Sequence, residues 1–403
     1  MKMTLRSWLL LVSVQAWIAS PGFAQTRAHK YLLFVGTYTS SESQDTGSKG
    51  IYSYRFDESS GKLAPLGVAA ETANPSFLAV APGNKFLYAV NELQTYKGAP
   101  SGAVTAFTMD HQTGKLTQLD EVASRGSDPC YISFDRTGKY LLVANYTGGT
   151  VAVFPVSSNG QIGEASSVED DKGALGPNKQ RQEHSHAHWI EASAGNRFAY
   201  VADLGLDRVL IYKFDPNKGA LIPGESRPGQ TATNGAKDFF SATLAPGTGP
   251  RHVAFSRDGK FMYVLGEVDS TVTVLANESN ETFKSIQKIS ALPAGFSGKN
   301  DAAEIVMHPG GKFLYSSNRG DDSIAVFTVN RKTGKLTFTQ RVPSGGKTPR
   351  NFAIDPSGSK LLAANEESGN IVEFRINRST GKLTTVGEVA KVPAPVCLVF
   401  VPE

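Results

Sequence analysis

Apolar residues along this chain fall in short runs bounded by turn residues, and one arrangement of such runs recurs. It consists of a strand, a tight turn of the Asp-x-x-Gly-Lys kind, and an apolar strand that ends in a polar residue. Copies start at Asn74 (NPSFLAVAPGNKFLYAVNE), Asp128 (DPCYISFDRTGKYLLVANY), Ser185 (SHAHWIEASAGNRFAYVADL), Gly249, Ala302 and Thr348. Between copies lie two more strand-like runs, such as SIAVFTV from Ser323 and KLTFTQRV from Lys335. A hairpin signal, Asn330-Arg-Lys-Thr-Gly334, parts them. The second strands end at Asn91, Asn145, Asp203, Gly266, Asn318 and Asn365, spaced 47 to 63 residues apart. Four-stranded units of that length are propeller blades, because one such sheet cannot bury both of its faces alone.

The ends of the chain complete the count. The last copy stops after one strand, APVCLVFVPE from Ala394, while the N-terminal part supplies YLLFVGTY from Tyr31, GIYSYRF from Gly50 and a third run near Lys62 to Gly67. Together these make a seventh blade, so the expected fold is all-β: a seven-bladed β-propeller over residues 25–403, closed by pairing the N- and C-terminal strands. Closure removes the open edges that invite aggregation. A linear solenoid would instead need polar capping repeats, which the sequence lacks.

Composition narrows the class. In 403 residues, 40 glycines and 21 prolines recur at turns rather than in one block, and 40% hydrophobic content suits a large buried core. Residues 1–24 stand apart. Lys2 and Arg6 precede an apolar run from Trp8 to Ala19, then Ser20, Pro21 and Gly22 lead to Ala24, the pattern of a cleaved secretory signal. The run is too short to cross a hydrocarbon core of ~30 Å, so the mature chain is expected to be secreted or periplasmic with no membrane span. Losing Lys2 and Arg6 lowers the net charge from +4 to +2, which gives no reason to expect nucleic-acid binding. Most propellers of this size can stand alone, so a monomer is expected. Cys130 and Cys397 fall in the same column of two repeats that are not neighbours, so two buried free thiols are expected rather than a disulfide.

In a propeller, equivalent strand ends converge on the central channel. The column after the polar ends reads Thr37, Glu92, Tyr146, Leu204, Glu267, Arg319 and Glu366. The starts of the innermost strands add His186 or His188, Arg251, His252, Glu304, Arg350 and Asn351. These residues vary from blade to blade while the strand bodies repeat, and they mix arginines with a possible acid–base pair, the usual content of an active site. An enlarged connection, ALGPNKQRQEHSHAH from Ala174, brings Arg181 and the alternating His184, His186 and His188. Residues two apart on a strand share a face, as metal ligands do. No cysteine or paired carboxylate with metal-site spacing accompanies them, so acid, base or hydrogen-bonding imidazoles are expected, with no metal.

Several of these motifs, GTYT at Gly36, SHAH, GPRH at Gly249, AAEIVMHPGGKFLYSSNRGDDSIAVF from Ala302 and PRNFAIDPSG from Pro349, occur in the order seen in the lactonase family of seven-bladed propellers. The chain resembles that family through essentially its whole mature length. The resemblance implies a site of one histidine of the HAH motif (His186 or His188), Arg251, Glu267 sixteen positions later, and Arg319, working on a lactone with neither metal nor cofactor. Opening a lactone needs a base for the attacking water, a proton for the leaving alkoxide and donors near the oxyanion, which fits Glu267 as acid–base residue beside a histidine. Arg251 and Arg319, with Arg350, His252 and Arg181 as further contacts, would grip an anionic group. A serine nucleophile is not expected, since no Gly-x-Ser-x-Gly turn occurs. The substrate expected is a sugar-derived lactone, 6-phosphogluconolactone or an unphosphorylated aldonolactone. The competing reading is a non-catalytic envelope propeller that binds a carbohydrate or a protein.

Overall fold

A computed structural model describes residues 30–41, 44–223, 241–279 and 281–403. The N-terminal segment read as a secretory signal lies outside them. The described residues form strands and turns, and no helix among them is long and apolar enough to cross a membrane.

Seven antiparallel sheets, six of four strands and one of five, follow the repeat and are given inner strand first. Blade 1 is Pro75–Val80, Phe86–Asn91, Ala103–Met109 and Leu116–Ala123; blade 2 is Pro129–Phe134, Tyr140–Asn145, Thr150–Pro155 and Ser167–Asp170. Blade 3 has Ala187–Ala192, Phe198–Asp203 and Arg208–Asp215, with Ala220–Pro223 and Ser241–Thr243 sharing its outer edge. Blades 4, 5 and 6 begin at Pro250–Phe255, Asp301–Met307 and Pro349–Ile354. Blade 7 joins the termini, Pro395–Pro402 pairing with Lys30–Thr37 from Tyr31↔Pro402 to Thr37↔Pro395, followed by Gly50–Asp57 and Leu63–Glu71. Each innermost strand packs on the next around the ring, including that of blade 7 on that of blade 1.

The core lies between blades. Fully buried Tyr88, Tyr263 and Tyr315 fill the inter-blade space with their rings. Each hydroxyl donates to the carbonyl of a turn glycine in the following blade: Gly160 at 2.7 Å, Gly334 at 3.1 Å and Gly381 at 2.8 Å. A buried phenol thus gains a partner, and neighbouring blades gain a fixed distance.

The polar strand ends are structural. Asn91, Asn145, Asn318 and Asn365 are buried, and their amides donate to the carbonyls of Ala73, Ser124, Ala291 and Ser344 in the inter-blade connections. Asp203 takes this place in blade 3 because it must accept, from the backbone N–H groups of His186 at 2.9 Å and Leu206 at 3.0 Å. The residues that follow the strand ends in blades 1, 2, 3, 4 and 6 donate their N–H groups to the residue just before the innermost strand, as Glu92 does to the Asn74 carbonyl at 3.0 Å and Glu267 to the Gly249 carbonyl at 2.8 Å.

Both cysteines are buried and free, as expected. They do not share a column: Cys130 follows Pro129 directly, whereas Val396 stands between Pro395 and Cys397. Cys397 lies in the apolar layer between blades 7 and 1, and Cys130 opens toward the channel beside His188.

Candidate active site

The site is built by a recurring backbone irregularity. Every innermost strand slips register at its first residues: between Pro75 and Phe77, Pro129 and Tyr131, Ala187 and Trp189, Pro250 and His252, Ala302 and Ile305, and Pro349 and Asn351. In blade 7 the same slip skips Val396. A β-bulge re-aims its extra residue, and here the extra residues include Cys130, His188, Arg251 and Arg350. The bulge breaks the period of two that would put His186 and His188 on one face, and so separates them.

His188 is the histidine of the ring. Its Nε2 is 3.9 Å from Glu267 Oε2 and its Nδ1 is 3.6 Å from Cys130 Sγ. Burial, reinforced by the charges of Arg251 and His252, holds its pKa well below the ordinary imidazole value, so it is neutral at pH 7. His186 sits one step outside, stacked on Tyr146 with ring centroids 4.3 Å apart, and its Nε2 faces Glu183 at 3.2 Å.

Glu267 is the centre of charge. It is 4% exposed and meets three guanidiniums from three segments. Arg251 Nε is 2.8 Å from Oε2, Arg319 Nη2 is 3.1 Å from Oε1, and Arg181 Nη2 also donates to Oε1. Burial alone would raise this carboxyl; Arg319, Arg251, His188 and Arg181 together override it and hold it well below the usual carboxylate range. Burial also brings Arg251 down to about 10, against the pull of Glu267. Arg251 is 3% exposed and its Nη1 is tied to the Ala303 carbonyl, so it is fixed. The Arg319 and Arg181 side chains are 16% and 33% exposed and face the opening.

The remaining candidates are arranged differently from the sequence reading. His252 lies one layer below the bulge, where its Nδ1 is 2.9 Å from Glu304 Oε1 and its ring stands 5.3 Å from His188 and 5.2 Å from Tyr131. With Phe77 and Trp189 these rings form a floor, so His252 and Glu304 support the site rather than rim it. Asn351 completes that layer, donating to Glu304 Oε2 at 2.6 Å and accepting from the Leu398 N–H. Arg350 belongs to a second cluster across the mouth. It donates to Tyr38 Oη at 2.6 Å, pairs with Glu366 at 3.8 Å and lies over the Tyr38 ring, while Tyr38 donates to Glu92 at 2.8 Å. Tyr38, Cys130 and Asp301, the last accepting from Arg181 Nη1 at 2.9 Å, are site residues that the sequence reading did not weigh. Tyr38, not Thr37, holds the mouth-column place in blade 7: Thr37 pairs with Pro395 as Asn91 does with Pro75, is buried and donates its hydroxyl to the Gly50 carbonyl at 2.6 Å, so it is the polar end of its strand and Tyr38 is the residue that follows.

Arg181 is delivered by the connection from blade 2 to blade 3. Gln182 is buried and donates to the Leu204 carbonyl at 2.8 Å, and Gly176 donates to the Gly205 carbonyl at 2.8 Å. The connection lies so close that a Cβ on Gly205 would fall 1.8 Å from the His184 carbonyl oxygen. Gly205→Ala must therefore push the connection away. The expected result is a KM raised about tenfold through displacement of Arg181, with stability lowered by about 1–3 kcal/mol, read from steady-state kinetics and thermal unfolding.

Comparison with known proteins places this geometry. The family model described as "Lactonase, 7-bladed beta-propeller" matches residues 32–400. A protein of Bacillus subtilis named 6-phosphogluconolactonase is 36% identical over 327 residues, covering 81% of this chain and 85% of its own. One of the same name from Formosa agariphila is 35% identical over 330 residues, covering 80% and 86%. Among solved structures, the periplasmic gluconolactonase of Pseudomonas aeruginosa superposes with a TM-score of 0.81 at 35% identity, over 92% of this chain and 99% of that one.

Proposed function

Because this chain belongs to the lactonase family of seven-bladed β-propellers, we propose that it hydrolyses a sugar-derived lactone to the open acid, using Glu267 for proton transfer and the arginines around it to hold the anion. The observation that carries this reading is one buried carboxylate shared by three guanidiniums beside a neutral imidazole, at the mouth of a channel. Three guanidiniums against the carboxylates of Glu267 and Asp301 leave this cluster with a net positive charge, fit for an anionic substrate.

The chemistry follows from who can move. Arg251 stays on Glu267 and orients it, while Arg319 and Arg181 are exposed enough to turn toward the incoming substrate. As they do, Glu267 loses part of what holds its pKa down and becomes a better base at the moment it is needed. A water attacks the lactone carbonyl carbon and passes its proton to Glu267. The oxygen that becomes negative is met by a guanidinium. The ring C–O bond then breaks, and the alkoxide recovers that proton from Glu267, giving a hydroxyl and a carboxylic acid that ionises in solution. His188 borders Glu267 and serves as a hydrogen-bonding partner for water or substrate. This route needs no metal and no cofactor. His252 supports Arg251 from below, its Nε2 3.4 Å from Arg251 Nη1, and Arg350 with Tyr38 offers hydrogen bonds to the far end of the sugar.

The test is proton release by the mature protein from 6-phosphogluconolactone and from unphosphorylated gluconolactone, with spontaneous opening subtracted. Activity on the first alone makes phosphate the group that the arginines hold; no activity on either removes these two lactones as substrates. The N-terminal pattern of residues 1–24 supports export, where an unphosphorylated aldonolactone is the more accessible substrate.

The charge state of Glu267 sets the pH profile. Its pKa is depressed by Arg319, Arg251, His188 and Arg181, so the carboxylate persists as pH falls through the ordinary glutamate value of about 4.3. On the same sign, the stability this depression contributes is fully present above the ordinary glutamate value and is lost progressively as pH falls from there to the depressed value. The kcat/KM is expected to show no acid limb centred near pH 4–5 in a pH-stat assay. A fall centred there would mean that Glu267 titrates as an ordinary carboxyl and is not held by the arginines.

A further inference from the structure

Beside the mouth, outside the ring of Glu267, the side chains of Glu183, His184 and His186 bring their ligating atoms within 4.8 Å of one another. We propose that these three residues bind one divalent transition-metal ion of the zinc class, and that the ion pins the connection carrying Arg181.

The tautomers argue for it. His186 Nδ1 faces the Tyr146 carbonyl oxygen at 3.2 Å, and His184 Nδ1 faces the Ser185 carbonyl oxygen at 2.7 Å. A carbonyl only accepts, so in each ring Nδ1 must carry the proton, which leaves the neutral ring's lone pair on Nε2. Both Nε2 atoms point at the same carboxylate oxygen, Glu183 Oε1, at 3.2 Å from His186 and 3.6 Å from His184. Three acceptors converge there, an arrangement that repels itself unless a cation or protons sit among them. Protonating both rings would set two imidazoliums side by side with centroids 4.0 Å apart. A cation shared by the three resolves the conflict.

The spacing suits zinc. Metal–ligand bonds of ~2.0–2.1 Å in a tetrahedron put the ligating atoms ~3.4 Å apart, which the 3.2 and 3.6 Å separations bracket. A backbone carbonyl on the far nitrogen of each histidine is the usual way such a ligand is oriented. Two imidazoles and one carboxylate favour zinc, cobalt, nickel or copper over calcium or magnesium, which take oxygen cages. The Glu183 and His184 side chains are about half exposed, so an ion can enter and the fourth position is left to water. The sequence between these ligands and Arg181 is Gln182 alone, so fixing Glu183 also fixes Arg181.

The experiment uses the mature chain without a polyhistidine tag, stripped with a chelator and desalted. Cobalt(II) is titrated in and followed by its visible absorption, and zinc is then added in competition. One equivalent is expected to bind with a spectrum of four- or five-coordinate cobalt displaced by zinc. In Glu183→Gln and in His184→Ala the affinity is expected to fall about tenfold or more, with calcium and magnesium without effect. Trypsin cleavage at Lys179 and Arg181 is expected to slow on adding zinc to the wild type and to be unchanged by zinc in His184→Ala. No stoichiometric cobalt binding by the wild type, or wild-type affinity in both variants, overturns the site. Binding without protection from trypsin overturns the role in pinning Arg181. None of these readings depends on which lactone is hydrolysed.

Discussion

Glu267→Gln lowers kcat for lactone opening by about 10²–10⁴-fold, the span of a lost general acid–base group, equivalent to about 3–5 kcal/mol of barrier. The change is nearly isosteric, but an amide neither takes a proton from water nor returns one to the alkoxide. It also removes the negative charge that Arg181, Arg251 and Arg319 share, and leaves buried Arg251 without its carboxylate at 2.8 Å. Breaking a buried pair from one side costs about 3–5 kcal/mol, so the variant is expected to unfold at a lower temperature while remaining a folded propeller at 25 °C. The same loss frees the guanidiniums for an external anion. Binding of the open-acid product is therefore expected to hold or tighten as turnover collapses, measured by calorimetry on the variant beside the kinetic assay. That opposite movement separates catalysis from a propeller that only binds: a platform would show no turnover to lose. Wild-type kcat in the variant would remove Glu267 from the proton path.

How much of this was legible in the chain follows from what repeats. The blade count, the closure through Tyr31 and Ala394, and the column holding Glu267 and Arg319 were readable because strand bodies and turns recur at each copy. The polar strand ends were found, although their structural role in tying inter-blade connections was not. What the sequence hid is mostly the bulge. One extra residue per inner strand is written in the same letters as a regular strand, yet it decides that His188 rather than His186 enters the ring. It also puts His252 in the floor. The one-place offset of Cys397 from Cys130, by contrast, was legible, since Val396 stands between Pro395 and Cys397 while Cys130 follows Pro129 directly. The charge state of Glu267 was hidden for a different reason. It depends on Arg181, Arg251 and Arg319, which lie up to 138 positions apart in the chain and meet only when blades 4 and 5 stand beside the connection into blade 3. Glu183 escaped notice because its partners are set by two backbone carbonyls, which no side-chain spacing announces.

Ending the chain after Ala394 is expected to abolish the native fold, although it removes only the final strand. Pro395–Pro402 is the innermost strand of blade 7 and pairs along its length with Lys30–Thr37. It buries Val396, Cys397, Leu398 and Val401, each 6% exposed or less. Fully burying side chains of this size contributes about 1.5–3 kcal/mol apiece, so the strand holds about as much as the net stability of an ordinary domain, roughly 5–15 kcal/mol. Its loss also uncovers Gly36, whose Cα lies so near blade 1 that a Cβ would meet the Pro75 carbonyl oxygen at 2.4 Å, a sign of how tightly blades 7 and 1 are pressed together. With the edge of Lys30–Thr37 open, the truncated chain should aggregate, seen as loss of the cooperative thermal transition and of the wild-type peak in gel filtration. A circular permutant makes the comparison sharp. The Glu403 N–H donates to the Lys30 carbonyl at 3.2 Å, so the described ends already touch and a short linker can join them. Opening the chain instead between Glu71 and Pro75, in the connection from blade 7 to blade 1, keeps every strand of the ring. That permutant should fold and keep its lactonase activity, because what closes the ring is the pairing of two strands and not the place where the chain begins. A truncated chain that unfolds cooperatively at the wild-type temperature would show that six blades and an open edge suffice.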